Sequence, residues 1–172
     1  MSVIYTIGHS TRLIDEFIDL LNQHDIRQLV DIRTVPKSRH NPQYWHDALA
    51  ASLEAAGIGY HYIKDLGGLR PKAEVSINTA WRNQSFRNYA DYMQTEQFES
   101  GLSQLIDLAT SHPTVIMCAE AVPWRCHRSL VADALLIRDW RVVDIIGPTS
   151  AREHKLTSFA KVQGRQITYP GE

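Results

Sequence analysis

Two cysteines in 172 residues are too few for a disulfide framework, and in a reducing cytosol both are expected to remain thiols. No apolar stretch approaches the length of a membrane span. The opening MSVIYTIGHS also lacks the charged-then-apolar pattern of a secretory signal, so the expectation is a soluble cytoplasmic protein with no membrane partner. An excess of one charge is missing as well. Eighteen Lys and Arg stand against 19 Asp and Glu, a net charge of −1 that argues against the nucleic-acid binding typical of strongly basic domains. Neither a GxGxxG fingerprint nor a GxxxxGKS/T phosphate loop occurs, which argues against ordinary dinucleotide and NTP binding, and no GxSxG elbow supports a serine hydrolase. Internal repeats and low-complexity tracts are absent too. A single domain over residues 1–172 is therefore expected, with 44% hydrophobic residues to build its core.

What the chain does have is alternation. Residues 3–7, 29–32, 60–63, 115–118 and 142–146 read as short strands, several of them continuous apolar runs suited to a sheet covered on both faces. Between them, Leu13, Ile14, Phe17, Ile18 and Leu21 share a helical face, with Ser10 or Thr11 available as the cap. A second helix over 46–56 is stopped by Gly57. Phe86, Tyr89, Ala90 and Met93 mark a third, Phe98, Leu102, Leu105, Ile106 and Ala109 a fourth ending before Pro113, and Leu130, Val131, Ala134 and Leu135 a fifth. This order predicts an α/β fold, a compact domain whose mainly parallel sheet of about five strands is flanked by helices. Residues 64–85 read as a loop over the site, His154 and Lys155 as part of a polar helix-like stretch, and residues 166–169 as a C-terminal edge strand.

The densest chemistry lies in residues 118–128, CAEAVPWRCHR, between a strand and a helix. Arg125, His127 and Arg128 crowd the helix start, where each cation loses roughly 0.3–1 kcal/mol unless a negative group compensates. Glu120 is one such group. A bound phosphate, sulfate or carboxylate is another. Cys126, among these cations at the helix end, is where a thiol pKa should fall, which makes it a candidate nucleophile or redox thiol, whereas Cys118 at the strand end reads as packing. The stretch differs from a cysteine-phosphatase loop: it has one residue too many between Cys118 and Arg125, Pro123 removes a donor, and Glu120 repels a dianion. Cys118, Cys126 and His127 are also weak metal candidates, because their spacing matches no common zinc signature.

In a parallel sheet the loops after the strands share one edge, where ligands bind. That places His9, Asp31 with Arg33, Gly67 with Gly68, and the 118–128 loop together. Of Asp31 and Arg33, one is expected to serve the fold and the other the site. Segments 33–45, 64–72 and 118–128 hold Arg33, Lys37, Arg39, Lys64, Arg70, Lys72, Arg125 and Arg128 against two acids, Asp65 and Glu120, a local field that attracts anions.

TIGHS at residues 6–10, DIRTVPKSR at 31–39, LGG at 66–68, FRNYADYM at 86–93, and CAE followed by CHR occur in one order across residues 3–146. In these motifs the chain resembles the bacterial and archaeal domain of unknown function 488 family. The resemblance implies a compact α/β domain and singles out Cys118, Glu120, Cys126, His127 and Arg128, but brings no established reaction.

Two functional classes follow. The first is a small enzyme acting on an anionic small molecule, with Cys126 as nucleophile or redox thiol, Glu120 or His9 as proton carrier, and Arg33, Arg125, His127, Arg128, Gly67 and Gly68 binding substrate. The second is a nucleic-acid-binding module in which the basic loops 33–45 and 64–72 contact phosphates while Tyr44, Trp45 or Trp124 stacks on bases. The sequence names no cofactor.

Overall fold

The computed structural model describes residues 2–171. The five apolar runs form β1 (Val3–Gly8), β2 (Gln28–Asp31), β3 (Gly59–Tyr62), β4 (Thr114–Cys118) and β5 (Arg141–Gly147), each parallel to its neighbours among these five. A further strand, β6 (Ser150–Glu153), joins β5 antiparallel and completes the order β3-β2-β4-β1-β5-β6. Central position explains the continuous apolar runs: every residue of β2 and β4 is buried.

Five α-helices occur among the described residues: α1 (Ile14–Gln23), α2 (His46–Ala55), α3 (Gln84–Tyr92), α4 (Glu96–Ser111) and α5 (Arg128–Leu136). Phe17, Leu20 and Leu21 of α1 and Leu49 and Leu53 of α2 pack on one sheet face, against Leu29, Val115 and Met117. Tyr89, Leu102, Leu105, Leu130 and Val131 of the other three helices pack on the opposite face, against Ile4, Val30 and Ile116. Burial of each such side chain stabilises the fold by about 1.5–3 kcal/mol. Helix α5 is buried at eight of its nine positions, so its polar residues Arg128 and Asp133 require partners inside the protein. Among the described residues no helix is long and apolar enough to cross a membrane.

The winding positions the site. Helices α1 and α2 carry the chain outward from β1 to β3 over one face, and α3, α4 and α5 carry it back over the other. Central β4 therefore lies between β1 and β2, whose following loops leave toward the opposite face from its own. A crevice opens at such a reversal, at the carboxyl ends of the strands.

The carboxyl-terminal expectations need correction. Residues 166–169 do not form an edge of the main sheet: β8 (Gln166–Thr168) pairs with β7 (Lys161–Gln163) in a separate antiparallel hairpin. The edge is β6, immediately before His154, in a stretch whose polarity suggests helix. All four β6 residues are exposed, so no apolar alternation marks the strand, and its place is set by backbone pairing with β5 and by an Arg141–Glu153 ion pair of 2.9 Å. Neither Ser10 nor Thr11 caps α1. Leu13 occupies that position without a side-chain hydrogen bond, because Ser10 adopts a left-handed turn at φ 51°.

Candidate functional site

Beyond β4 the chain turns through a one-turn helical segment, Pro123–Arg125, before α5 begins with His127 as its N-cap. This turn brings Cys126 back onto Cys118, and the two sulfurs are in contact. Cys118 was expected only to pack; its sulfur instead meets that of Cys126. Eight residues of separation carry no signal for pairing; the turn at Pro123 creates it.

The surroundings of the sulfurs are polar. Arg128 Nη1 donates to Cys118 Sγ at 2.8 Å and the Arg128 backbone N–H to Cys126 Sγ at 3.4 Å. The Arg128 guanidinium also reaches Thr6 Oγ1 and the carbonyls of Glu120 and Ala121. Arg128 is fully buried, so it organises the 118–121 turn from behind the cavity. Burial lowers its pKa to about 10 against the opposing charges of Asp144 and Glu120, which leaves it cationic at neutral pH.

His127 is held by its ring. Nε2 lies 2.9 Å from the Ile32 carbonyl, which only accepts, so Nε2 carries the proton and Nδ1 presents its lone pair. Nδ1 faces Cys126 Sγ at 3.6 Å. Burial lowers the His127 pKa to about 4; the Ile32 and Leu66 carbonyls oppose this, Arg128 and Arg70 add to it, and the ring is neutral at pH 7. Gly68 makes room for it, because a Cβ there would lie 2.5 Å from Nδ1. Gly67 packs on Thr34, and Gly8 lets the Glu120 carbonyl approach where any side chain would collide.

Asp31 and Arg33 are two residues apart, so they share a sheet face and act as a unit. Arg33 Nε and Nη2 donate to the two Asp31 oxygens at 2.9 and 2.7 Å. Arg33 lies at the cavity, while buried Asp31 and His9 hold it from behind. His9 Nδ1 lies 2.7 Å from the Ser10 carbonyl, so that nitrogen bears the proton and Nε2 faces Arg33 Nη1 at 3.5 Å. Burial depresses the His9 pKa to about 4, opposed by the Ser10 carbonyl and assisted by Arg33, and the ring stacks on Tyr44. His9 thus stands behind Arg33, outside the cavity wall.

These groups surround an open cavity of about 300 Å³, with Cys118, Cys126, His127 and Arg33 on its walls. Glu120 and Arg125 are exposed at it, and no ion pair joins them among the described residues. Leu69 and Phe86 supply apolar wall and Ser85 a hydroxyl; Leu69 and Ser85 lie in the segment 64–85 expected over the site, whereas Phe86 was expected only on a helix face. Among the described residues no group of three or more His, Cys, Asp or Glu is arranged to hold a metal ion.

The basic loops gather only in part. Arg70 stacks on Tyr92 at 3.7 Å and donates to the Gly67 and Lys64 carbonyls, so it braces the 64–70 segment. Tyr44 is fully buried and not accessible to a base, whereas Trp45 and Trp124 are exposed, with Lys37 and Arg152 over their rings.

A second polar cluster, which sequence reasoning did not find, lies on the other side of Pro123 and Trp124. Buried Asp133 accepts from His154 Nε2 at 2.8 Å, Thr157 Oγ1 at 2.7 Å and Tyr169 OH at 2.8 Å. His154 Nδ1 also stands 3.7 Å from buried Asp144, which accepts from Thr6. Burial by itself lowers the His154 pKa, but the hydrogen bonds and charges of Asp133 and Asp144 outweigh it and raise it to about 9.

Residues 13–135 match the model of the family described as Domain of unknown function DUF488. The chain belongs to this family. The DUF488 match runs from the residue before α1 almost to the end of α5, and so contains Arg33, Gly67, Gly68 and the whole 118–128 turn. His9 precedes it, and Asp144 and His154 follow it. No curated protein and no solved structure matches the chain.

Proposed function

We propose that the chain is a small cytoplasmic enzyme that binds a charged small molecule at the carboxyl edge of the sheet and acts on it through the Cys126 thiol. The observation that carries this reading is the lone pair of His127 Nδ1, 3.6 Å from Cys126 Sγ at the wall of an open cavity. In the reduced protein the thiol hydrogen-bonds to that nitrogen, and the Arg128 backbone N–H at the helix start favours the thiolate. Arg125 meets the anionic group of the substrate, with Arg33 beside it. Glu120 sets a limit on substrate charge, since a second carboxylate or a phosphate dianion is repelled. His9 acts through Arg33, as a positioning residue rather than a proton carrier.

Alkylation tests this. Iodoacetamide should modify Cys126 of the reduced protein at mildly acidic pH at least about tenfold faster than a free thiol, because about one pKa unit of depression gives that gain in thiolate. A monoanion such as acetate should slow it. Equal, slow labelling of both cysteines overturns the reading.

A second reading, nucleic-acid binding, draws on the two exposed cation–aromatic pairs at Trp45 and Trp124. It requires affinity for single-stranded oligonucleotides that falls steeply with salt. Absence of binding at low salt removes it.

A further inference from the structure

We infer that Cys118 and Cys126 form a working dithiol–disulfide couple whose substrate is the disulfide of a small zwitterionic thiol, of the kind derived from an amino acid. The inference rests on the thiol-enzyme reading above and adds the second sulfur, the reaction and the substrate class.

Three observations carry it. Both sulfurs line the same cavity and touch each other, so either one can receive a bond from the other. A buried guanidinium contacts Cys118 Sγ at 2.8 Å; a cysteine that only fills space needs no such partner, whereas a resolving thiolate does. At the cavity, Arg125 and Glu120 are exposed, opposite in sign and not paired with each other. A ligand with a carboxylate and an ammonium group satisfies both, while a dianion or a dication meets repulsion from one of them. Leu69 and Phe86 accommodate the methylene and sulfur body between those charged ends.

The chemistry balances without a metal or a further cofactor. Cys126 releases its proton to solvent, its thiolate favoured by the Arg128 backbone N–H, and that thiolate attacks one sulfur of the substrate disulfide. A Cys126–substrate mixed disulfide forms, the substrate S–S bond breaks, and the leaving thiolate is protonated from solvent. Cys118, held as thiolate by Arg128, then attacks Cys126 Sγ and expels the second substrate thiol, which is protonated from solvent. Two electrons pass from the protein dithiol to the substrate, giving two thiols and the Cys118–Cys126 disulfide. A second dithiol, small or protein-borne, reduces that disulfide by the same exchange in reverse.

The experiment treats reduced protein with L-cystine, with cystamine as the dication and with dithiodiglycolate as the dianion, and follows intact mass and released thiol. Wild type should lose two hydrogens and release two cysteines per chain, and Cys118→Ser should stop at one cysteinyl adduct on Cys126. Cystine should react about fivefold faster than either comparator, the gain expected from one well-placed ion pair at an exposed site, and Arg125→Ala should erase that preference. An adduct that accumulates on Cys118 in Cys126→Ser, or wild type that keeps a stable adduct without forming the internal disulfide, overturns the proposal. So does equal reaction with all three disulfides. Rapid anion-protected alkylation of Cys126 together with inertness toward every disulfide sinks this inference and leaves the thiol-enzyme reading standing, whereas slow alkylation removes both.

Discussion

Two partly buried histidines flank helix α5 and respond to their surroundings in opposite ways. His127, at the start of the helix, has carbonyls, arginines and a sulfur around it; burial holds it neutral, with a pKa of about 4. His154, on the other side of the Pro123–Trp124 wall, lies between Asp133 and Asp144, and the two carboxylates lift its pKa to about 9 despite desolvation. Desolvation removes the charge of an imidazole unless a carboxylate restores it. The difference separates folding from chemistry. Around Asp133 the donors and acceptors answer one another, tying the segment 154–169 to α5. Around Cys126 a lone pair, an exposed arginine and an exposed glutamate face open space.

The contrast breaks most readily at Asp133. Asp133→Ala should cost about 3–5 kcal/mol in urea unfolding, because it leaves His154 charged and two hydroxyls without their acceptor. Alkylation of Cys126 in the remaining folded protein should be unchanged. A large loss of reactivity would mean that the two regions are one.

Next in size is pH. The folded pKa of His154 is raised above its unfolded value of about 6.5, so its contribution of roughly 3 kcal/mol is fully present below pH 6.5 and lost as pH rises through about 9. His9 and His127 are depressed, so the contribution of each, also roughly 3 kcal/mol, is present above pH 6.5 and lost as pH falls through about 4. Unfolding free energies from pH 4 to 10 should thus decline on both sides. His154→Gln should flatten the alkaline side alone.

Gly68→Ala sharpens the comparison at the site itself. The added methyl displaces the His127 ring, which should cost about 1–3 kcal/mol by overpacking and slow Cys126 alkylation severalfold. The smallest effect belongs to Arg125→Ala, whose stability should stay within about 0.5 kcal/mol of the parent chain while protection by acetate disappears.

How much of this was legible in the sequence follows the same division. The five parallel strands and five helices announce themselves through continuous apolar runs or periodic apolar faces, and the placement of Arg33, Gly68 and the 118–128 turn follows from strand direction. Strand β6 was not legible, since an exposed edge held by backbone bonds has no apolar rhythm. Nor was the partnership of Cys118 with Cys126, which depends on the path of the turn at Pro123. Arg128 reads as a ligand for anions because charge is visible in sequence and burial is not; its partners are Thr6, a sulfur and two carbonyls. His9 and His127 look equally able to carry a proton until their carbonyl partners decide which ring nitrogen holds it.

The most direct test of the open thiol site is a pH titration of thiolate ultraviolet absorbance in the reduced protein, repeated on Cys118→Ser and Cys126→Ser. At least one thiol in the parent chain should ionise well below the ordinary value of about 8.5, helped by Arg128 and the start of α5. Two thiols that both titrate at or above that value would contradict the account, since burial would then have closed the site as it has closed the cluster around Asp133.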